Sequence, residues 1–266
     1  MRLCVLKKFD SLLKLFGMDF QTMLVAIAAL PWFWNCLCRA KRQHHAQTND
    51  FPFGKLYPCL VDRSDGSGVA SGHYFHQDLL IARKIFSANP VKHVDVGSRI
   101  DGFVAHVASF REIEVLDIRA LLSTSRNIVF RQADIMASRP DAPLLLCDSL
   151  SCLHALEHFG LGRYGDPINL NGHKMGLANM VSMLHPGGLF YLSVPMGPQR
   201  LEFNAHRVFA LSYLLALVPA GFSVKTFSYV DDAGDLHEDV SLDADGIAAN
   251  FNCHYGCAIL ELVKQR

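Results

Sequence analysis

The stretch Lys92-His93-Val94-Asp95-Val96-Gly97-Ser98-Arg99-Ile100-Asp101-Gly102 decides how this chain folds. Residues 92–96 read as a short strand running into a glycine turn, after which Phe103, Val107 and Phe110 fall along one face of a helix. Strand, glycine turn and helix in that order open a parallel β-α-β unit, whose ligands sit beyond the carboxyl ends of the strands. The alternation continues downstream. Strands are expected over 113–116, 128–130, 149–153, 189–194, 223–230 and 257–263, and helices over 76–86, 154–159, 177–184 and 208–218. The expectation is an α/β domain over residues 73–266.

Strand ends carry the candidate binding groups. Gly97 lets backbone approach a ligand closely, with Asp95 and Ser98 beside it. Arg99 stands where a dinucleotide fingerprint has its second glycine. Asp117, followed by Ile118, closes the second strand twenty residues beyond Gly97. A carboxylate there only accepts hydrogen bonds, which suits a ribose diol. Asp134 closes the third strand and can accept from an adenine amino group, with Ile135 or Met136 covering the ring. Ser151 lies on the fourth strand. His154 and His158 follow it as candidate bases, with Asp166 to orient them, because imidazole exchanges protons near neutral pH. Each has a plainer reading: solvated strand-end acids, a loop cap at Asp134, core histidines. His73, Tyr74, His76 and Gln77 precede the first strand, where a lid could lie. Residues 160–167 are glycine-dense and read as a tight loop, with Arg163 placed to meet a phosphate or carboxylate.

Composition narrows the classes. The 266 residues balance 25 Lys+Arg against 25 Asp+Glu, and 50% are apolar. That excludes a generally basic nucleic-acid binder and a disordered acidic chain. Eight cysteines, several inside apolar runs, indicate free thiols in a reducing compartment. No paired CxxC occurs, and the Cys36-x-Cys38 and Cys253-x3-Cys257 spacings are weak metal patterns, so no metal site is expected.

Residues 1–43 differ from the rest, with seven basic groups against two acidic ones. Phe9, Leu12, Leu13 and Phe16 keep helical spacing, and residues 23–34 form an unbroken apolar run. Twelve helical residues span about 18 Å, short of the roughly 30 Å of a bilayer core. A basic, apolar helical segment is expected, either packed as a hairpin or lying on an anionic membrane through Trp32, Phe33, Trp34, Arg39, Lys41 and Arg42. Residues 44–72, punctuated by proline and glycine, read as linker and loop.

Taken together, these pieces resemble the class I S-adenosylmethionine-dependent methyltransferase superfamily over about residues 75–266. The resemblance is carried by LEH at 156–158, LHPGGLFYLSVP at 184–195 and HRVFALSYLLALVPAGFSV at 206–224. It implies a Rossmann-like sheet of seven strands with the last antiparallel, and S-adenosylmethionine as cofactor. A closer resemblance is to a family of unknown function, domain of unknown function 268, often associated with surface-glycan genes. It rests on GHYFHQDLLIA at 72–82, HVDVGSRIDGFVAHV at 93–107, CDSLSCLHALEHFGLGRYGDP at 147–167 and FNAHRVF at 203–209. The resemblance implies methyl transfer to a small or glycan-linked acceptor in surface polysaccharide biosynthesis, and the basic, apolar residues 1–43 place it in the cytoplasm, peripheral to the inner membrane face. Two other readings use the same residues: a non-catalytic binding or assembly protein on this fold, and a zinc hydrolase in which His154, Glu157 and His158 form an inverted H-x-x-E-H pattern on a helix.

Overall fold

In the computed structural model of the chain, residues 14, 16–46, 50–137 and 146–266 are described. Cys4 and the expected stripe at Phe9, Leu12 and Leu13 lie outside them. The chain divides into two compact units, Met1–Val69 and Ala70–Arg266.

The first unit is dominated by one helix, α1 (Phe20–Ala46). Asp19 caps its start, accepting from the Thr22 amide at 3.0 Å. The helix continues through Pro31 and past the apolar run into the expected linker, so it reaches 27 residues, roughly 40 Å. None of its residues is buried. Among the described residues it is the one helix long and apolar enough to cross a membrane. The twelve-residue run alone understates this length, because flanking polar residues extend the same helix. Arg63 lies over the Trp32 ring at 4.5 Å.

The second unit is a layered α/β domain. Its central sheet has the order β3-β2-β1-β4-β5-β10-β8-β9. The strands are β1 (His93–Val96), β2 (Ile113–Asp117), β3 (Ile128–Gln132), β4 (Cys147–Leu153), β5 (Leu184–Met196), β8 (Phe222–Val230), β9 (Leu236–His237) and β10 (Gly256–Lys264). β6 (Arg200–Glu202) and β7 (His206–Val208) form a separate hairpin. The first five strands are parallel, and β10 runs antiparallel between β5 and β8. This is the sheet the class I methyltransferase resemblance implies, with the two-residue β9 added at one edge.

Both faces of the sheet are buried, as parallel sheets require. Alternate residues feed two cores. Val115, Tyr191 and Ile259 point to one, packed against Leu80, Ile81 and Ile85 of α2 (His73–Ala88) and against Phe103 and Val107. Leu116, Phe190, Leu192 and Leu260 point to the other, against Leu177 and Met180 of α4 (Gly172–Ser182) and Leu211 and Leu214 of α5 (Leu211–Ala216).

Three expected elements differ. The helix after β1 begins as a π turn (Ile100–Val104) and is α-helical only over α3 (Ala105–Ala108). The helix expected over 208–218 begins at Leu211, because residues 206–208 pair with 200–202 instead. The helix expected over 154–159 is a single 3-10 turn (Leu156–His158), because His154 turns into the left-handed region at φ +50°. His185-Pro186-Gly187-Gly188 bulges out of β5, where the register with β4 jumps from Cys147–Leu184 to Ser149–Leu189.

His93 lies fully buried at the start of β1, its two ring nitrogens 2.8 Å and 3.1 Å from the hydroxyls of Ser149 and Ser151 on β4. Burial pushes its pKa down to about 3. The unfolded chain takes up a proton near pH 6.5 that the fold refuses until about pH 3. The stability from this residue is therefore full above pH 6.5 and is lost as pH falls through that window. A His93→Gln variant should show a shallower fall in urea midpoint between pH 6.5 and 4 than the parent; equal slopes would refute the assignment.

Candidate functional site

In the strand order, β1 pairs with β2 on one side and β4 on the other, so the chain leaves β1 in one direction and returns on the opposite side. Such a switch point opens a crevice at the carboxyl ends of the strands. A cavity of about 510 Å³ lies there, within the range that holds a small-molecule ligand. It is lined by Gly97, Ser98, Arg99, Asp117, Ile118, Asp134, Ile135, His154, His158 and Asp166. Ten of the residues expected from the sequence thus share one cavity. Asp95 and Ser151 do not line it; they are fully buried beneath it.

The floor is a hydrogen-bonded knot. Asp95 accepts from the Ser98 amide at 3.0 Å, the Ser98 hydroxyl at 2.7 Å and the Ser151 hydroxyl at 2.5 Å. The Ser98 oxygen in turn accepts from the Leu153 amide at 3.2 Å. Burial pushes the Asp95 carboxyl up to about 6, against these hydrogen bonds. Gly97 takes φ +74°, and a Cβ there would stand 2.9 Å from the Ala155 Cβ. The turn therefore requires glycine for its backbone angle and for the close pass of Ala155, just beyond β4. Gly102 serves a different purpose: a Cβ there would lie 2.7 Å from the Asp78 carboxylate. That buried carboxyl is also pushed up to about 6, mainly by burial.

At the rim, Arg99 is half-exposed. It donates to Asp101 at 3.2 Å and 3.0 Å and lies over the Tyr74 ring at 5.4 Å. Asp117 is engaged by Arg119, whose backbone amide (2.8 Å), Nε (3.0 Å) and Nη2 (2.6 Å) all reach its oxygens. The same guanidinium lies 4.5 Å over the Tyr164 ring. Arg119 escaped the sequence reading, since only an Asp-x-Arg spacing at a strand end hints at the pair. Asp134 caps its own turn, accepting from the Met136 amide at 2.8 Å, and Ile135 and Met136 complete that wall.

The histidines are arranged around Glu157, which is 1% exposed. His154 Nδ1 is 2.8 Å from Glu157 Oε1, and its Nε2 is buried with no hydrogen-bond partner. His158 Nε2 is 3.6 Å from the same oxygen. Burial opposes charge on His154, but Cys257 and Glu157 outweigh it and push the pKa up to about 10. His158 is shifted the other way by burial, below the usual histidine range. His158 Nδ1 is 2.6 Å from the Ala205 carbonyl, which only accepts, so Nδ1 carries the hydrogen and Nε2 the lone pair. Asp166 does not orient either histidine. It accepts from the Gly162 and Tyr164 amides at 3.1 Å each and ties the glycine-rich loop. The helix that the inverted zinc-peptidase pattern requires does not form: only Leu156–His158 make a 3-10 turn, with both histidines beside the same Glu157 oxygen.

The fold and the position of its cavity define a Rossmann-like α/β protein, with the strand order that the class I methyltransferase resemblance implies. A family profile described as "Caenorhabditis protein of unknown function, DUF268" matches residues 146–254, which bears out the resemblance to that family of unknown function over β4, His154 and His158, and the chain from β5 through β9. No curated protein matches the chain. Solved structures similar to it include N-methyltransferase NodS from Bradyrhizobium japonicum in complex with S-adenosyl-L-homocysteine (12% identity, 73% of this chain and 89% of that one, TM-score 0.49). Others are the 1,6-didemethyltoxoflavin-N1-methyltransferase of Burkholderia thailandensis (15%, 71% and 79%, 0.49) and YcgJ of Bacillus subtilis (14%, 72% and 99%, 0.47).

Replacing Asp95 by Ala would orphan one amide and two hydroxyls in a closed interior. Asp95→Ala should cost about 3 kcal/mol in urea denaturation, and Asp95→Asn, which keeps an acceptor, distinctly less.

Proposed function

We propose that this chain is an S-adenosylmethionine-dependent methyltransferase acting on a small or glycan-linked acceptor. One observation carries the reading: at the switch point, three successive strand ends supply a glycine turn, an acceptor-only carboxylate and a capped acid, all facing one cavity. The residues fit the cofactor. Gly97 at the cavity wall lets backbone approach a ligand closely, Asp117 offers two oxygens to a ribose diol, and Asp134 with Ile135 and Met136 offers an edge and a face to an adenine. Arg99 stands at the rim as a cation for the amino-acid carboxylate.

When bound, the cofactor supplies an electrophilic methyl group on a sulfonium. The chain's own task is then to align an acceptor and take its proton, so much of the catalysis is positioning. His158 is suited to take that proton. Its Nδ1 is held by Ala205, its Nε2 lone pair is free, and burial keeps it neutral. Glu157 Oε1 lies 3.6 Å from that Nε2 and 2.8 Å from His154 Nδ1, so a single carboxylate oxygen faces both rings.

The first unit belongs to this reading as an anchor to an anionic membrane surface on the cytoplasmic side. Support comes from a 27-residue helix with no buried residue and from Arg39, Lys41 and Arg42 near its end.

Calorimetric titration with S-adenosylmethionine and S-adenosylhomocysteine tests the cofactor. Binding at one site is expected, weakened at least roughly 100-fold in Asp117→Ala, equivalent to about 2.7 kcal/mol. Absence of binding by folded protein would leave a non-catalytic binding role on this fold. Arg119→Ala should tighten binding about tenfold, because the guanidinium no longer competes for Asp117. In flotation with phosphatidylserine-containing vesicles, the full chain should rise with lipid and a chain lacking residues 1–69 should not.

A further inference from the structure

Beside the cavity lies a side-chain cluster that shares only His154 with the proposed methyl-transfer site. His73 opens α2, His154 follows β4, and Cys257 lies near the start of β10. One ligand atom from each falls within 4.8 Å of the other two. Cys257 is fully buried and His154 is 8% exposed. Besides the two histidines, the Cys257 thiol has the Gln77 side-chain oxygen at 3.8 Å and the Ala258 carbonyl at 3.7 Å beside it. The rings of His73 and His154 stack at 5.1 Å, and Tyr255 stacks on the far side of His73 at 5.5 Å.

The second observation is the unpartnered His154 Nε2. A buried ring nitrogen without a hydrogen-bond partner costs about 1–3 kcal/mol unless a water or an ion occupies the place. The other nitrogen of that ring is tied to Glu157 at 2.8 Å. A carboxylate behind one imidazole nitrogen, with the second nitrogen free, is how metal-binding histidines are oriented.

We propose that His73, His154 and Cys257 form a binding site for a zinc-class divalent cation, with Glu157 as the outer carboxylate that orients His154. The donor set decides the class. Two imidazoles and one thiolate favour zinc and its borderline neighbours, while magnesium and calcium demand oxygen ligands. Charge points the same way. One thiolate and one carboxylate balance a divalent cation, so the buried centre is neutral. Bonds of about 2.0–2.3 Å around a tetrahedral ion put ligand atoms about 3.3–3.7 Å apart, so closure takes about 1 Å of side-chain movement. Three protein ligands leave a fourth position open, as in catalytic rather than structural zinc sites. His154 belongs to both this cluster and the cavity wall.

This inference does not depend on the methyltransferase reading, and its test does not use activity. The full chain, purified without a polyhistidine tag, is titrated with zinc against a chelator and, separately, with cobalt as a spectroscopic probe. A single zinc ion per chain is expected. Cobalt should give the visible bands of a tetrahedral ion and a thiolate charge-transfer band in the near ultraviolet. Cys257→Ser should remove that band and weaken zinc roughly 100-fold or more, and His73→Asn should weaken zinc similarly. Glu157→Gln should weaken it by about 10–100-fold. His158→Gln should leave stoichiometry and spectrum unchanged. Failure of folded parent protein to bind zinc or cobalt would overturn the proposal, a water then filling the place beside His154. So would cobalt bands that survive in Cys257→Ser, which would put the metal on the exposed Cys36, Cys38 or Cys59, and so would loss of zinc in His158→Gln but not in Cys257→Ser. Circular dichroism of each variant separates loss of a ligand from loss of the fold.

Discussion

The buried carboxylate of Asp95 is the constraint on which the rest of the second unit depends. At the switch point the ladder pairs β1 with β4 as far as Asp95 and Ser151, and beyond that pair a side chain must tie the turn after β1 to β4. Asp95 does so by accepting from Ser98 on its own turn and from Ser151 across the sheet. A carboxylate only accepts, so every neighbour must donate, and the turn after β1 is drawn into one shape. The glycine at 97 then follows as a necessity, because the tightened turn demands a positive φ and brings Ala155 within van der Waals contact. The cavity is what remains above this knot.

Above it, charges are matched in pairs before any ligand arrives: Arg119 on Asp117, Arg99 on Asp101, His154 on Glu157. The rim pairs are partly solvated and contribute little to stability. The inner one is sealed, so its members hold each other in place. A ligand at the rim would have to exchange partners with these pairs, whereas the groups around Glu157 are already fixed. These two parts of the cavity suit two tasks, capture and positioning.

Much of this was legible in the sequence, for physical reasons. The alternation in Val94-Asp95-Val96 and the apolar stripes of the flanking segments fix elements locally, so strands and most helices were readable where side chains face one core or the other. Asp117 and Asp134 were readable because strand ends converge. What escaped was decided by distant partners. LEH at 156–158 carries helical spacing, yet His154 breaks from it because its ring is drawn toward Glu157 and the His73 ring. The bulge at His185–Gly188 exists because β4 offers only one residue opposite it. Asp166 reads as a partner for a base but has amides of its own loop nearer to hand. His73, His154 and Cys257 are separated by 81 and 103 positions, and no spacing rule joins residues that meet only when α2, β4 and β10 are assembled.

The backbone at His154 has a further consequence. A non-glycine residue at φ +50° is held at a cost of order 1 kcal/mol or more, which glycine would not incur. A chain shaped for robustness alone would relax here, and asparagine or glycine would fold more comfortably. With Phe251 at φ +49°, His154 is thus one of the positions where variants selected for heat resistance would gain by giving up the native side chain.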